Sequence, residues 1–181
     1  KNTDYDKKGL YSLERYVSAH AIMFSIEGVP AVYFNSIFGK ANDEYKYVIS
    51  NNKRDLNRYK WNKVKLDRFL KDKKSKQKIY YDHITNLLKI RKKQKAFHPD
   101  ATQFTLHLKP GMFGFWRQSI DRQQSIFCIF NISDQSQTLR VADLNLVATD
   151  EWHDLISGTA TDSWQSEIQL TPYQCVCLSN R

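Results

Sequence analysis

The sequence has little cysteine, and its three cysteines form no pattern that binds a metal. Cys175 and Cys177 are two positions apart on a predicted strand, so their side chains should share one face and be poorly placed to bridge each other. No CxxC pair and no Cys/His spacing typical of a zinc site accompanies Cys128. We therefore predict buried, reduced thiols in a cytoplasmic protein, with no metal and no cofactor.

Long hydrophobic runs are also absent. No apolar stretch approaches the ~20 residues that a transmembrane helix needs, and no basic segment followed by an apolar one indicates a secretory signal. Hydrophobic residues nevertheless make up 41% of the 181 residues, which favours a folded core over a disordered chain. We predict a globular protein with no membrane partner.

Acidic residues are scarce in the first half of the chain. The formal net charge is +9, of which residues 1–98 carry +13 and residues 99–181 carry −4. The hydrophobic period changes at the same place, near Phe97-His98-Pro99. We predict two domains, 1–97 and 98–181, that meet at this point.

The first half reads as helix, strand, loop and helices. An amphipathic pattern predicts a helix over 10–27, and the apolar run 28–35 predicts a strand buried on both faces, as in a parallel sheet. A long irregular loop follows at 36–62, and then helices at 64–70 and 79–97. In wound α/β folds, the loop at the carboxyl end of a strand builds the ligand site.

The second half reads as short strands separated by turns. Regular strands of this kind predict a compact antiparallel β-sandwich. The predicted strands are 104–108, 112–117, 126–132, 139–141, 168–170 and 173–178.

Five ordered motifs resemble glycoside hydrolase family 13, the α-amylase family. Gly28-Val-Pro-Ala-Val-Tyr-Phe34 is similar to the last barrel strand of that family. Arg54-Asp-Leu-Asn-Arg58, followed by Trp61, resembles a segment of its sucrose phosphorylase-like subfamily. The other matches are Ile90-Arg91 with Ala96-Phe97-His98-Pro99, Trp152-His-Asp-Leu-Ile-Ser-Gly158, and Pro172-Tyr173-Gln174.

The resemblance implies a C-terminal portion of such an enzyme. Residues 1–97 would be an α/β remnant of a (β/α)8 barrel, its last helix–strand–helix part, and residues 98–181 the all-β C-terminal sandwich domain. A complete barrel needs eight strands and about 250 residues. The family's nucleophile Asp, acid/base Glu and third Asp would lie upstream of Lys1, so we name no catalytic residue. The implied partners are the missing N-terminal barrel portion, a sugar substrate and, in a phosphorylase, phosphate.

The resemblance also implies a substrate-binding role for Arg58, Asn57, Asp55, Arg54 and Asn35. Arg58 would lie at the floor of the glucosyl pocket, bonding a sugar hydroxyl and pairing with a carboxylate from an early barrel loop. Asp55, Asn57 and Arg54 would orient the loop or reach the acceptor, and Asn35 would line the pocket mouth. An ordinary solvated loop is the alternative interpretation.

The implied activity of the whole enzyme is retaining α-glucosyl transfer, with sucrose and phosphate as the first expectation. Glucosylglycerate or glucosylglycerol phosphorolysis and sucrose hydrolysis stay open, and the isolated chain should be inactive. One alternative is a basic nucleic-acid-binding module, because tyrosines alternate with lysines in the first half, although no nucleic-acid motif accompanies them. Another is a non-catalytic carbohydrate-binding or regulatory remnant.

Overall fold

The computed structural model of the protein describes residues 9–144, 151–161 and 167–181. These residues form five α-helices and eight β-strands, with 3₁₀ turns at Lys53–Leu56, Lys95–Phe97 and Val141–Leu144. The helices are α1 (Ser12–Ser25), α2 (Phe34–Ile37), α3 (Glu44–Ser50), α4 (Lys63–Lys71) and α5 (Lys76–Lys93). The strands are β1 (Thr102–Thr105), β2 (Met112–Gln118), β3 (Ser125–Asn131), β4 (Gln137–Arg140), β5 (Trp152–Asp154), β6 (Ala160–Thr161), β7 (Glu167–Leu170) and β8 (Cys175–Ser179).

The chain divides into two units. The first combines the residues before Ala31 with those from Leu87 onward, and the second is Ala31–Asn86. The predicted domain boundary between residues 97 and 98 concerns the domains of a whole enzyme and stays a prediction.

The first unit is built on an antiparallel sheet with the strand order β1-β2-β3-β8-β5-β6. A separate pair, β4 and β7, packs its Leu139 and Leu170 into the core beneath this sheet. Because side chains alternate along a strand, Phe127 and Ile129 of β3 face this core. The remaining core members are Met112, Val141, Leu144, Trp152, Val176 and Leu178. The result is the antiparallel two-sheet arrangement expected of the second half of the sequence.

Helix α1 contacts β3 and belongs to the same unit as the sheet. Its stripe buries Ala21 and Phe24, as the three- and four-residue spacing predicts. The helix ends at Ser25 because Ile26 is extended, two residues before the predicted end at residue 27. The predicted helices at 64–70 and 79–97 correspond to α4 and to α5 with the following 3₁₀ turn.

The strand predicted at residues 28–35 is not confirmed. Residues 29–33 belong to no helix and no strand, and α2 begins at Phe34. Val29 is 81% exposed and Phe34 53% exposed, although the apolar run predicts burial on both faces. A strand needs neighbours that satisfy its backbone N–H and C=O groups, and none of the described residues pairs with this run.

The prediction of an irregular loop at residues 36–62 is wrong in the middle of this range, where the structure contains α3. Asp43 caps this helix, because its Oδ1 accepts a hydrogen bond from the amide of Lys46 at 3.1 Å. Asn51 ends the helix in the left-handed conformation, with φ 49°. The capping residues were visible in the sequence, but the helix is short and buries none of its residues, so its periodic signal is weak.

The prediction that the cysteines are buried is confirmed for all three, and none of them forms a disulfide in the structure. Cys128 and Cys177 are register partners on β3 and β8, with their Sγ atoms 3.8 Å apart. Burial raises the pKa of the Cys175 thiol well above its usual range. The Cys175 thiol is therefore a protonated core side chain at neutral pH.

Gly39 lies where no larger residue fits. Its φ is +56°, and a β-carbon there would overlap the ring of Tyr80. We expect Gly39→Ala to lower the free energy of unfolding by about 2 kcal/mol, from backbone strain plus overpacking. Urea denaturation with Gly158→Ala as the control separates the two effects, because Gly158 has φ +75° but open space around a β-carbon. Equal losses in both variants would contradict the overlap.

Candidate functional site

The second unit contains a cleft lined by part of the predicted binding segment. Arg54, Asn57 and Arg58 line it together with Lys53 and Tyr33, around a volume of about 370 Å³. The structure thus brings together three of the five residues predicted from the sequence. Asp55 and Asn35 lie in the same unit but do not line the cleft.

The 3₁₀ turn Lys53–Leu56 presents the basic side chains. Asn52 starts this turn, because its Oδ1 accepts a hydrogen bond from the amide of Arg54 at 3.1 Å. The Leu56 carbonyl accepts from the amide of Asp43 at 2.7 Å, which ties the turn to the start of α3. Lys53 and Arg54 therefore project from an ordered turn, and Arg58 follows it by two residues; all three residues are exposed.

Asp55 is engaged with α3 instead of the cleft. Its Oδ1 lies 3.2 Å from Nζ of Lys46. A hydrogen bond from Ser50, followed by the one from Lys46, lowers the pKa of the Asp55 carboxyl. Asp55 is thus an ionised anchor of the segment, which fits an orienting role better than direct contact with a ligand.

The side chain of Asn35 forms hydrogen bonds with the backbone at the C-terminal end of the predicted binding segment. It is only 5% exposed, and its amide nitrogen donates to the carbonyl oxygens of Asn57 at 2.9 Å and Tyr59 at 3.1 Å. Its Oδ1 accepts from the indole Nε1 of Trp61 at 2.8 Å. The amide oxygen and nitrogen are both used internally, so this geometry positions the loop instead of lining a pocket mouth.

An aromatic cluster fixes the residues that follow Arg58. The ring of Trp61 lies edge-on to those of Tyr59, Phe38 and Phe69, with centroids 5.0, 5.7 and 6.3 Å apart. Aromatic pairs of this geometry stabilise by about 0.5–1.5 kcal/mol beyond their buried area. Together with the hydrogen bonds of Asn35, these contacts order the residues that follow Arg58.

Sequence reasoning missed Lys53 and Tyr33. Lys53 directly precedes the Arg54–Arg58 motif, and its charge was the available signal. Tyr33 lies within the apolar run for which the sequence predicts a strand, but its hydroxyl donates to the carbonyl of Asn57 at 3.1 Å. It therefore forms one wall of the cleft.

A larger groove of about 700 Å³ lies in the first unit and contains none of the predicted site residues. Its surface is mainly apolar, with Val29, Pro30 and Ile120 among the lining residues. Basic side chains such as Arg91 and Lys95 also line this groove, but it holds none of the residues that the resemblance implies, so we place the candidate site in the smaller cleft. Within the described ranges, no three His, Cys, Asp or Glu side chains are grouped closely enough to hold a metal ion. No described helix has the length and apolar character needed to cross a membrane.

Comparison with known proteins identifies relatives by sequence, although no family model matches the chain. The glucosylglycerate phosphorylase of Allomeiothermus silvanus is 30% identical over 151 residues, which are 83% of this chain and 26% of the relative. The glucosylglycerate phosphorylase of Escherichia coli is 30% identical over 161 residues, 88% of this chain and 27% of the relative. The chain therefore spans about a quarter of the length of the curated relatives it matches.

Solved structures share the fold at low sequence identity. The α-amylase of Geobacillus thermoleovorans, complexed with acarbose, has a TM-score of 0.68 and 14% identity, covering 92% of this chain and 33% of that one. The trehalose-6-phosphate hydrolase of Bacillus licheniformis has a TM-score of 0.66 and 17% identity, covering 97% of this chain and 40% of that one. At these identities the likeness is one of fold.

Proposed function

We propose that this chain, which belongs to the α-amylase family (glycoside hydrolase family 13) and is homologous to its sucrose phosphorylase-like members, is the C-terminal portion of an α-glucosyl phosphorylase. The curated relatives act, by their names, on glucosylglycerate. We therefore put glucosylglycerate ahead of sucrose as the donor. Transfer of its glucosyl group to phosphate gives glucose 1-phosphate and glycerate.

The extended run after α1 would be a barrel strand in the complete enzyme. Its lack of a strand partner among the described residues and the 81% exposure of Val29 support this proposal. The N-terminal barrel portion would supply the neighbouring strands and the two carboxylates that retaining glycosyl transfer needs, about 5–5.5 Å apart. The buried free thiols agree with a cytoplasmic location.

The observation that carries the proposal is the cleft that collects Arg54, Asn57 and Arg58. The guanidinium of Arg58 presents fixed donors to the hydroxyls of the glucosyl unit and to a carboxylate of the missing portion. Arg54 and Asn57 would face the acceptor. Asp55 and Asn35 would act indirectly, by holding the segment that carries these side chains.

The test is release of glucose 1-phosphate from glucosylglycerate and, separately, from sucrose. The isolated chain should release none from either, whereas the polypeptide extended upstream to the length of its relatives should be active. In the extended enzyme we expect Arg58→Lys to lower kcat/KM about tenfold, because an ammonium cannot reproduce the two-pronged contact. The matched surface substitution Lys73→Arg should leave kcat/KM unchanged. Phosphorolysis by the isolated chain above a protein-free blank would overturn the proposal.

A further inference from the structure

The cleft in the second unit has a lining that is unusually rich in donors. Lys53, Arg54 and Arg58 carry hydrogen-bond donors and no acceptors, whatever their rotamers. The hydroxyl of Tyr33 donates its hydrogen bond to the Asn57 carbonyl. The side chain of Asn57 is then the main lining group that can both donate and accept hydrogen bonds. A neutral sugar hydroxyl both donates and accepts, so this lining suits a ligand that only accepts.

The positive charge of the cleft also favours a ligand that accepts hydrogen bonds and carries negative charge. No carboxylate is among its lining residues, and the nearest acid in the motif, Asp55, is paired with Lys46. Three cations that share a small cleft repel one another unless an anion lies between them. An arginine fork matches the oxygen spacing of phosphate and carboxylate, and a lysine adds a point charge.

The size and order of the cleft fit a small ligand. Its volume of about 370 Å³ is at the lower end of the range for small-molecule pockets. The Asn52 cap and the hydrogen bonds from Asn35 order the backbone that carries the cations, so little backbone conformational entropy remains to be lost on binding.

We infer that this cleft is a binding site for a small oxyanion, phosphate or the carboxylate of a hydroxy acid, and that Lys53 and Arg54 are its specificity-determining residues. Arg58 has a separate role in the proposed function, at the glucosyl unit. The inference rests on that function for the identity of the anion, because phosphate and glycerate would be the second substrate and the product. An anionic acceptor site of this kind would favour glycerate over neutral fructose as the group exchanged for phosphate.

The test is an NMR titration of this chain at pH 7 and constant ionic strength with inorganic phosphate, D-glycerate and glycerol. We expect saturable shifts of the amides at residues 53–58 with phosphate, glycerate or both, and none with uncharged glycerol. The double substitution Lys53→Gln/Arg54→Gln should weaken anion binding about tenfold, as for the loss of one charge-assisted hydrogen bond. The control Lys73→Gln/Lys74→Gln removes the same amount of charge from the exposed connector before α5. It should change the affinity for the anion by less than about twofold.

Comparison of the two anions identifies the ligand of the site. Tighter binding of phosphate would assign the site to the attacking substrate, and tighter binding of glycerate would assign it to the departing product. Absence of saturable shifts, or equal weakening by the two double substitutions, would overturn the inference. The titration needs no activity, so its result is independent of the proposed function. An inactive extended enzyme with intact anion binding would overturn the function alone, and an active one without anion binding would overturn the inference alone.

Discussion

Replacing Arg117 with methionine should lower the free energy of unfolding by about 3 kcal/mol. Arg117 is fully buried, and its guanidinium donates to the carbonyl oxygens of Ser25 at 2.9 Å, His98 at 2.8 Å and Ala101 at 3.2 Å. Methionine would fill a similar volume but leave two buried carbonyls and the partly buried carbonyl of His98 without these donors, at about 1–3 kcal/mol for each unsatisfied buried group. Removal of a desolvated charge offsets part of this loss.

The structure makes this arginine unusual because its partners are all carbonyl oxygens. Burial lowers the pKa of the Arg117 guanidinium, and the neighbouring Arg91 adds to the effect. Arg91 itself donates to the carbonyls of Phe24, Ile26 and Gly28. The last carbonyls of α1 have no partners within the helix, so two arginines from distant parts of the chain close its end.

The measurement is the thermal midpoint of Arg117→Met, which should fall by about 6–12 °C for a chain of this size. Arg117→Lys should not restore it, because an ammonium retains the buried charge without the fork that reaches three carbonyls. Arg140→Met is the matched control, since Arg140 is exposed and forms a surface ion pair with Asp143. Exposed pairs contribute little, so a loss as large as that of Arg117→Met would refute this account.

Most strands of the second half of the chain could be predicted, because each has a recognisable apolar pattern in its own sequence. Six strands have enough alternating or continuous apolar residues between turns to be recognised. The two that were missed, β5 and β6, are three and two residues long, too short for a period to develop. Their place in the sheet depends on the pairing of β5 with β8 and of β6 with β5, which no local pattern encodes.

The apolar run before α2 shows the limit of such reasoning. Its composition predicts a buried strand, but burial and pairing depend on neighbours that lie elsewhere. Within the site, the binding roles of Arg54 and Arg58 were implied by the resemblance of their segment to the sucrose phosphorylase-like subfamily, since composition alone also fits a solvated loop. The contribution of Asn35 was not predictable, because its partners are more than 20 residues away in sequence and are its neighbours only in the fold.

Replacing Asn35 with alanine should release the segment that carries the cleft. The substitution removes the donor to the carbonyls of Asn57 and Tyr59 and the acceptor for the indole of Trp61. The Tyr59 carbonyl and the Trp61 indole lose this partner, and the Asn57 carbonyl keeps only the Tyr33 hydroxyl, so we expect the local free energy of opening to fall by about 3 kcal/mol. The aromatic cluster around Trp61 remains, but it does not bond the backbone of residue 57 or 59.

The rate of limited proteolysis by trypsin measures this opening directly, because trypsin cleaves after Arg54, Arg58 and Lys60 in the segment. When opening is fast relative to cleavage, the rate follows the population of the open form. A 3 kcal/mol change then accelerates cleavage after these residues about 100-fold, while cleavage elsewhere in the chain keeps its rate.

Two further variants separate the hydrogen bonds from other effects of the substitution. Asn35→Asp keeps the size of the side chain and the acceptor for Trp61 but directs a second oxygen at the two carbonyls, so it should open the segment at least as much as alanine. Asn42→Ala, at an exposed position of the same unit, should leave the cleavage rate unchanged. If Asn35→Asp were cleaved as slowly as the unsubstituted chain, the amide donors would not be what holds Arg58 in place, and the order of the cleft would have to come from the aromatic cluster instead.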